Sequence, residues 1–281
     1  MSKYNNTIYA LSTPPGKSAI AIIRISGKGS TKALKKITSI KKIIPNKTNV
    51  LFLNYKGTPI DQVIAIYYKG PNSFTGEDVV EINCHGGIAV INKITKTLEN
   101  IGVRLAEAGE FTKRALLNEK IDLVKTESIS DIINAETEKQ REMALKNLCG
   151  GLSQFTKKIK DKIELNLANL EALIDFSDED LPKGILRNIK EQNKNLIKQI
   201  DSELKSAELS KPIRDGIKVA IVGKPNTGKS SFINFISKRD VSIVTDIPGT
   251  TTDSITSSID IKGYKFTFVD TAGLRKHTNK I

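Results

Sequence analysis

The chain has 281 residues, 38 % of them hydrophobic and 27 % charged, enough for about two domains of ~100–200 residues and too apolar for a disordered chain. No run approaches the ~18 consecutive apolar residues of a membrane span; the opening MSKYNNTIYALSTPPG lacks the features of a secretion signal, and Cys84 and Cys149 are too few for a disulfide framework. A cytoplasmic protein with no membrane partner is therefore expected, and its net charge of +13 is uneven: residues 1–118 carry +10, residues 119–216 carry −2 and residues 217–281 carry +5.

Residues 1–118 read as an α+β domain. AIAIIRI (19–25), NVLFL (49–53), VIAIYY (63–68) and VVEINC (79–84) are short runs rich in Ile and Val, bounded by Gly, Pro and Asn, which is the strand signature. Helices are expected over 30–40 and 88–101, the second opening after Gly86-Gly87 and closing at Gly102. GPNSFTGED (70–78) is a loop by composition.

Residues 119–215 change to helical periods. Leu152, Phe155, Ile159, Ile163, Leu167, Leu170 and Ile174 recur every three to four residues. Ile185, Ile189, Leu196, Ile200 and Leu204 form a second series after the acidic break DFSDEDLP (175–182), and Ile129, Ile132, Ile133, Met143, Leu145 and Leu148 form an earlier one. Three helices of this length predict an antiparallel bundle. The charged stretch KKIKDK (157–162) is read as solvated surface.

From Gly216 the pattern changes again. IKVAIVG (217–223) is a buried-strand run, and TSSIDI (256–261) and KFTFVD (265–270) are two further strands. About three strands and one helix make less than half of a doubly wound nucleotide-binding domain. Residues 216–281 are thus the first part of an α/β P-loop domain.

The chemistry concentrates there. GKPNTGKS (223–230) fits the phosphate-loop pattern G-x-x-x-x-G-K-S between a strand and a helix. Gly223 and Gly228 let backbone N–H groups wrap a β-phosphate, with the helix dipole behind them. Lys229 supplies a point charge to the β- and γ-phosphates, and Ser230 offers its hydroxyl to Mg²⁺. In DTAG (270–273), Asp270 ends a strand where it can hold the Mg²⁺ shell, and the Gly273 N–H can reach the γ-phosphate. Between the two, TDIPGTTTD (245–253) offers Thr250 and Thr251, one of which can complete the metal shell around a triphosphate. Together these motifs resemble a GTPase of the translation-factor-like class, with Lys229 and Asp270 as catalytic candidates.

Two details bear on the mechanism. Leu274 follows DTAG, where Ras-like enzymes carry a glutamine that orients the attacking water, so another group must hold that water. Asn226 has two readings: its amide braces the loop, or it ligates a monovalent cation with backbone carbonyls around Thr245 to Thr250. A K⁺ there would do the work of an arginine finger.

The motifs GKPNTGKSS (223–231), VTDIPGTTTD (244–253) and DTAGLR (270–275) resemble the bacterial MnmE (TrmE) family of tRNA modification GTPases. STPPGKSAIAIIRISG (12–27), GPNSFTGEDVVEINCHGG (70–87) and AEAGEFTKRALLNEKIDL (106–123) resemble the folate-binding domain of that family, so the likeness covers essentially the whole chain. It implies an N-terminal folate-binding and dimerisation domain over 1–118, a helical domain (N-terminal half) over 119–215 and a partial GTP-binding domain over 216–281. The implied activity is K⁺-stimulated GTP hydrolysis. With an FAD-dependent subunit of MnmG (GidA) type, the family adds an aminomethyl-type group at C5 of the wobble uridine of certain tRNAs, using a 5-formyl-tetrahydrofolate-type one-carbon donor. Carried onto this sequence, the resemblance assigns Arg24, Glu81 and Lys120 to the folate. It assigns Asn226, Thr245, Ile247 (through its backbone) and Thr250 to K⁺, and Ser230 and Thr251 to Mg²⁺. Asn226, Thr227, Gly228, Lys229, Ser230 and Ser231 are implied around GTP, with Thr245, Asp246, Ile247, Pro248, Gly249, Thr250, Thr251, Asp270, Thr271, Ala272 and Gly273. Without the resemblance, Arg24 and Glu81 read as surface ion-pair residues and Lys120 as a solvated helix residue.

The family's guanine-reading N-K-x-D, its water-positioning glutamate and its C-terminal C-x-G-K cysteine do not occur in these 281 residues. A C-terminally truncated form is expected, one that keeps folate binding and dimerisation but hydrolyses GTP weakly. Cys84 and Cys149 are expected to be buried thiols, and His85 a loop hydrogen-bonder or structural residue. Two rival functions are a folate-dependent one-carbon transfer module with a regulatory P-loop and a non-enzymatic tRNA-binding scaffold drawing on the +10 of residues 1–118. The charge itself has two readings: an anionic partner such as RNA, or a codon bias toward A and T in a chain where 36 of the 44 basic residues are Lys.

Overall fold

The computed structural model describes residues 6–176, 184–223, 227–228, 231–232, 235–236, 243–244 and 256–270. It divides into two compact units, Met1–Thr126 and Glu127–Ile281.

The first unit is a six-stranded sheet with two helices on one side. Its strands are β1 (Ile8–Leu11), β2 (Ser18–Ser26), β3 (Thr48–Tyr55), β4 (Thr58–Tyr68), β5 (Val79–Gly86) and β6 (Arg104–Leu105), in the order β3-β4-β5-β2-β1-β6. All neighbours are antiparallel except β1 and β6. The period of two sends alternate residues to one face. Ala21, Ile23 and Ile25 of β2, Val63 and Ala65 of β4, and Val80, Ile82 and Cys84 of β5 enter one core. Leu34 and Ile37 from α1 (Ser30–Lys36) and its end, and Ile91, Ile94 and Leu98 from α2 (Ile88–Asn100), complete it. The opposite face stays open: Ile20, Val50, Phe52 and Ile64 are exposed there. Helix α1 stops four residues short of the expected 40. Ile37 leaves the helix with its N–H on the Leu34 carbonyl, and its own carbonyl accepts from Asn54 of β3 at 2.8 Å, which pulls the chain off the helix axis.

Three short elements of this unit carry no sequence signal: β1, β6 and α3 (Glu110–Leu117). The strands are too short to show alternation. The buried side of α3 consists of Glu110, Arg114 and Ala115, so no apolar stripe marks it. Gly86, at the end of β5, is fixed by close approach. A methyl group there would fall 2.0 Å from Ser18 Oγ and 2.5 Å from the Ser18 carbonyl oxygen. Gly86→Ala is expected to lower unfolding stability by about 1–3 kcal/mol through overpacking; an unchanged denaturation midpoint would contradict this.

Helix α4 (Leu123–Ile133) starts in the last residues of the first unit, and the second continues with α5 (Glu138–Leu148), α6 (Gly151–Asp175) and α7 (Ile185–Asp215), which pack on one another. The single early helix expected over 129–148 is two. A capping box divides them: Thr137 Oγ1 accepts from the Gln140 N–H at 3.5 Å, and Gln140 Oε1 accepts from the Thr137 N–H at 3.1 Å. The Gln140 amide also donates to the Arg214 carbonyl at the end of α7. Between α6 and α7, Asn166 donates to Asn193 Oδ1 at 2.9 Å.

A four-stranded sheet follows, with β7 (Ile217–Ile221), β8 (Ile243–Val244), β9 (Thr256–Ile261) and β10 (Tyr264–Asp270) in the order β7-β10-β9-β8. Three of these match the expected strands and β8 is additional. Ile259 and Phe268 form its small core, and the Lys265 ammonium joins the Glu136 carboxylate at 2.6 Å. Among the described residues, no helix is long and apolar enough to cross a membrane.

Candidate functional site

Two candidate sites stand on these frames. In the first unit, the antiparallel register of β2 and β5 sets Arg24 directly opposite Glu81. Both alternate with core residues and so lie on the open side of the sheet. The guanidinium reaches across the strands, with Nε 2.8 Å and Nη2 2.7 Å from Glu81 Oε1. The ring of Phe74, from the 70–78 loop, has its centroid 5.2 Å from Arg24 Cζ, and that of Phe111, on α3, lies at 6.0 Å. Each ring offers its negative face to the cation. Tyr68, at the end of β4, completes the group; burial, and then the Glu81 carboxylate beside it, push its phenol upward. Arg24 and Glu81 are each in an ion pair, as their residue types suggested, and the structure makes them each other's partner. The pair sits inside an aromatic enclosure that the sequence reading missed, although a phenylalanine in an otherwise polar, glycine-rich loop is a signal for one.

Lys120 is exposed as expected but does not lie in a helix: α3 ends at Leu117, and Lys120 falls in the bend after it, with no ion pair to its ammonium among the described residues. Its stem lies against the same loop: a methyl group at Gly76 would fall 3.0 Å from Lys120 Cγ. Asn118 donates to the Thr75 carbonyl at 2.7 Å. Arg24 and Glu81 are thus in direct contact, and Lys120 is held on the loop that carries Phe74.

A buried charge network underlies this loop. Arg114, 2 % exposed, donates to Glu77 Oε2 at 2.9 Å, to Glu110 Oε1 at 2.9 Å and to the Asn6 carbonyl at 2.9 Å. Glu110 also accepts from Arg104 at 2.6 Å and from the Glu107 N–H at 2.9 Å. Glu77 accepts from the Ser26 hydroxyl at 2.8 Å, and Ser26 in turn meets Thr75 Oγ1 at 2.7 Å. At the other end of the loop, Asp78 accepts from the Tyr67 hydroxyl at 3.0 Å and the Gly70 N–H at 3.1 Å. Burial and that acceptor push the Tyr67 phenol up to about 12.

Two expectations are corrected, for His85 in this unit and for Cys149 in the second, while Cys84 is buried as expected. His85 lies in β5 rather than in a loop; its Nδ1 is 2.7 Å from Asp61 Oδ1, and its backbone N–H donates to the same carboxylate. Cys84 is buried, and its thiol is pushed up to about 11 by burial and by Asp61, so it is held as an unreactive thiol. Cys149 is exposed, because it falls at the C-cap of α5, past the packed face of the helix.

In the second unit, β10 runs parallel to β7 with Asp270 opposite Ile221. Both strands end at the same edge of the sheet, so the chain leaves β7 beside the Asp270 backbone at the end of β10. Gly228 has φ +84°, a left-handed conformation that favours glycine. Helical residues follow at once, with the Phe232 N–H donating to the Gly228 carbonyl at 2.9 Å. That is the strand–loop–helix context the motif demands. Of the residues expected around nucleotide, Thr227, Gly228, Ser231 and the backbone of Asp270 are described. Asn226, Lys229, Ser230, Thr245 to Thr251 and Thr271 to Gly273 lie outside the described residues. Among the described residues, no group of three or more His, Cys, Asp or Glu is arranged to hold a metal ion. The expected metal ligands are instead hydroxyl, carboxamide and carbonyl oxygens, hard donors of the kind Mg²⁺ and K⁺ accept.

Comparison with known proteins covers both units. Residues 7–120 match the family model described as GTP-binding protein TrmE N-terminus, and residues 123–278 match the one described as MnmE helical domain. The chain is 43 % identical over 283 residues to a tRNA modification GTPase MnmE of Rickettsia bellii, covering 98 % of this chain and 62 % of the relative. It is 44 % identical over 279 residues to the Clostridioides difficile protein of that name, covering 96 % and 60 %, and 46 % identical over 283 residues to that of Fervidobacterium nodosum, covering 98 % and 61 %. The chain therefore spans about three fifths of the length of the curated relatives it matches.

Proposed function

The chain belongs to the MnmE (TrmE) family, and from that membership we propose that it serves GTP-driven modification of tRNA. In this reading it is part of a K⁺-stimulated GTPase. With an FAD-dependent subunit of MnmG (GidA) type, that enzyme installs an aminomethyl-type group at C5 of the wobble uridine of certain tRNAs, drawing on a one-carbon unit from a 5-formyl-tetrahydrofolate-type folate.

The observation that carries the nucleotide half is the parallel pairing of β7 with β10, which brings the glycine-rich segment and Asp270 to one sheet edge. Lys229 then binds the β- and γ-phosphates as a point charge, and Ser230 and Thr251 are the residues that would hold Mg²⁺. Asn226, Thr245, Ile247 and Thr250 would hold K⁺, whose charge offsets the negative charge gathering on the transferred phosphoryl group. For the folate half, the Arg24–Glu81 pair, with the Phe74 and Phe111 rings near the guanidinium, offers a carboxylate and flat surfaces to a heterocycle, and the exposed Lys120 suits an anionic tail. Dimerisation through the first unit draws support from the open sheet face with Ile20, Val50, Phe52 and Ile64.

Two measurements on this 281-residue chain test the reading. Titration with 5-formyl-tetrahydrofolate is expected to show binding that Arg24→Ala weakens by at least about tenfold, the loss of one charge-assisted contact worth roughly 1.5–3 kcal/mol. Wild-type affinity in that variant would remove the folate assignment. GTP turnover with and without KCl is expected to be slow in both; brisk K⁺-stimulated hydrolysis would overturn the expectation of weak activity.

A further inference from the structure

Arg114 touches none of the residues assigned to folate, yet everything around them is fastened to it. It lies on α3 one turn after Phe111, is 2 % exposed, and holds Glu77 of the 70–78 loop, Glu110 of its own helix and the carbonyl of Asn6 with one guanidinium. Glu77 closes the circuit onto β2 through Ser26, two residues beyond Arg24. The network holds two cations, Arg104 and Arg114, and two anions, Glu77 and Glu110, so it is neutral as a set. A neutral, hydrogen-bonded set is the condition under which charges can be buried.

The consequences run outward in two directions. Thr75, bonded to Ser26, directly follows Phe74, so the Glu77 anchor fixes where that ring stands against Arg24. Arg114 and Glu110 fix α3, and with it Phe111, whose ring centroid is 6.0 Å from Arg24 Cζ. Asn118 and the close approach of Gly76 to Lys120 then pin the segment after α3 to the same loop. We propose that Arg114 and Glu77 form a positioning pair that aligns Phe74, Phe111 and Lys120 around the Arg24–Glu81 pair, and so sets the affinity of the first unit for a reduced folate. The proposal rests on the folate reading above and adds residues to which that reading gives no role. Lysine cannot replace arginine here, because its three donors all sit on one nitrogen, whereas the planar fork reaches Glu77 through Nη1 and Asn6 and Glu110 through Nη2.

The test compares Arg114→Lys and Glu77→Gln with the full wild-type chain. Three quantities are read: affinity for 5-formyl-tetrahydrofolate, the thermal midpoint, and the ¹H–¹⁵N resonance of Arg24 Nε–H, which the currents of two neighbouring rings shift. The Arg24 resonance is a readout that a purely structural role for Arg114 would leave in place while the midpoint fell. In folded Arg114→Lys, that resonance is expected to move downfield as the rings lose alignment, with at least a tenfold loss of folate affinity. An unmoved resonance and wild-type affinity in a folded variant overturn the proposal. If Arg114→Lys fails to fold, Glu77→Gln decides by the same criteria, since it keeps an acceptor for Ser26 while removing the charge that orients Arg114. Arg24→Ala separates the two layers of argument. If it binds folate like wild type while the Arg24 resonance still moves in Arg114→Lys, the positioning role stands and the folate reading falls.

Discussion

Lys229→Ala is expected to weaken GTP binding by roughly 10- to 100-fold, the loss of one charge-assisted contact worth about 1.5–3 kcal/mol. The same substitution in a full-length member of the family should abolish wobble-uridine modification. There the lysine also stabilises charge that develops only in the transition state, and removing one such preorganised group costs about 10²–10³ in rate. Lysine contributes charge and three donors at the end of a flexible stem, and alanine supplies neither. The measurement is titration with a fluorescent GTP analogue, followed by assay of the modified nucleoside in cells whose only copy of the gene is the variant. Modification at the wild-type level would favour the rival, a one-carbon transfer module whose phosphate loop only regulates. Arg24→Ala provides the converse control: nucleotide affinity should stay while folate affinity falls.

Acid is expected to release the first unit through Glu110. This carboxyl is 4 % exposed. Burial pushes its pKa upward, but hydrogen bonds from Arg104, from the Glu107 backbone and from Arg114 outweigh that and hold it at about 2. An unfolded glutamate titrates near ~4.3. The folded value is therefore the depressed one, so the stability it confers is complete above ~4.3 and drains away as pH falls toward about 2. Each unit of difference is worth ~1.4 kcal/mol, which puts the loss at roughly 3 kcal/mol across that window. Denaturant unfolding of wild type at a series of pH values should show the decline. Glu110→Gln should be less stable at pH 7, where it leaves Arg104 and Arg114 short of one counter-charge, and should lose less on acidification. Parallel curves for the two proteins between pH 5 and pH 2 would show that Glu110 is not the titrating group.

Much of the frame was legible because its elements bury apolar side chains in short runs or at a regular period. AIAIIRI (19–25) is a short Ile-rich run bounded by Gly and Pro, and that composition alone announces a strand. The series from Leu152 to Ile174 announces α6 by its period. The break between α4 and α5 was missed, because the apolar series from 129 to 148 runs across the capping box that Thr137 and Gln140 form. Helix α3 was not legible, because what it buries is charge: Glu110 and Arg114 read as surface residues until their partners from β6, the 70–78 loop and the N-terminal segment are in place.

By itself, then, the order of residues determined the longer strands, the long helices, the phosphate-loop motif and the likeness to the MnmE family, all of which depend on neighbours within a few positions, but not the short strands β1, β6 and β8. Only the tertiary structure decided that Arg24 faces Glu81, 57 positions away, that Phe74 and Phe111 close on that pair, and that Asp270 comes level with Ile221. Each of these depends on strand register and on a buried set of charges whose members lie far apart along the chain. A periodicity reports which face of an element is apolar, but it carries no information about which distant residue will stand opposite.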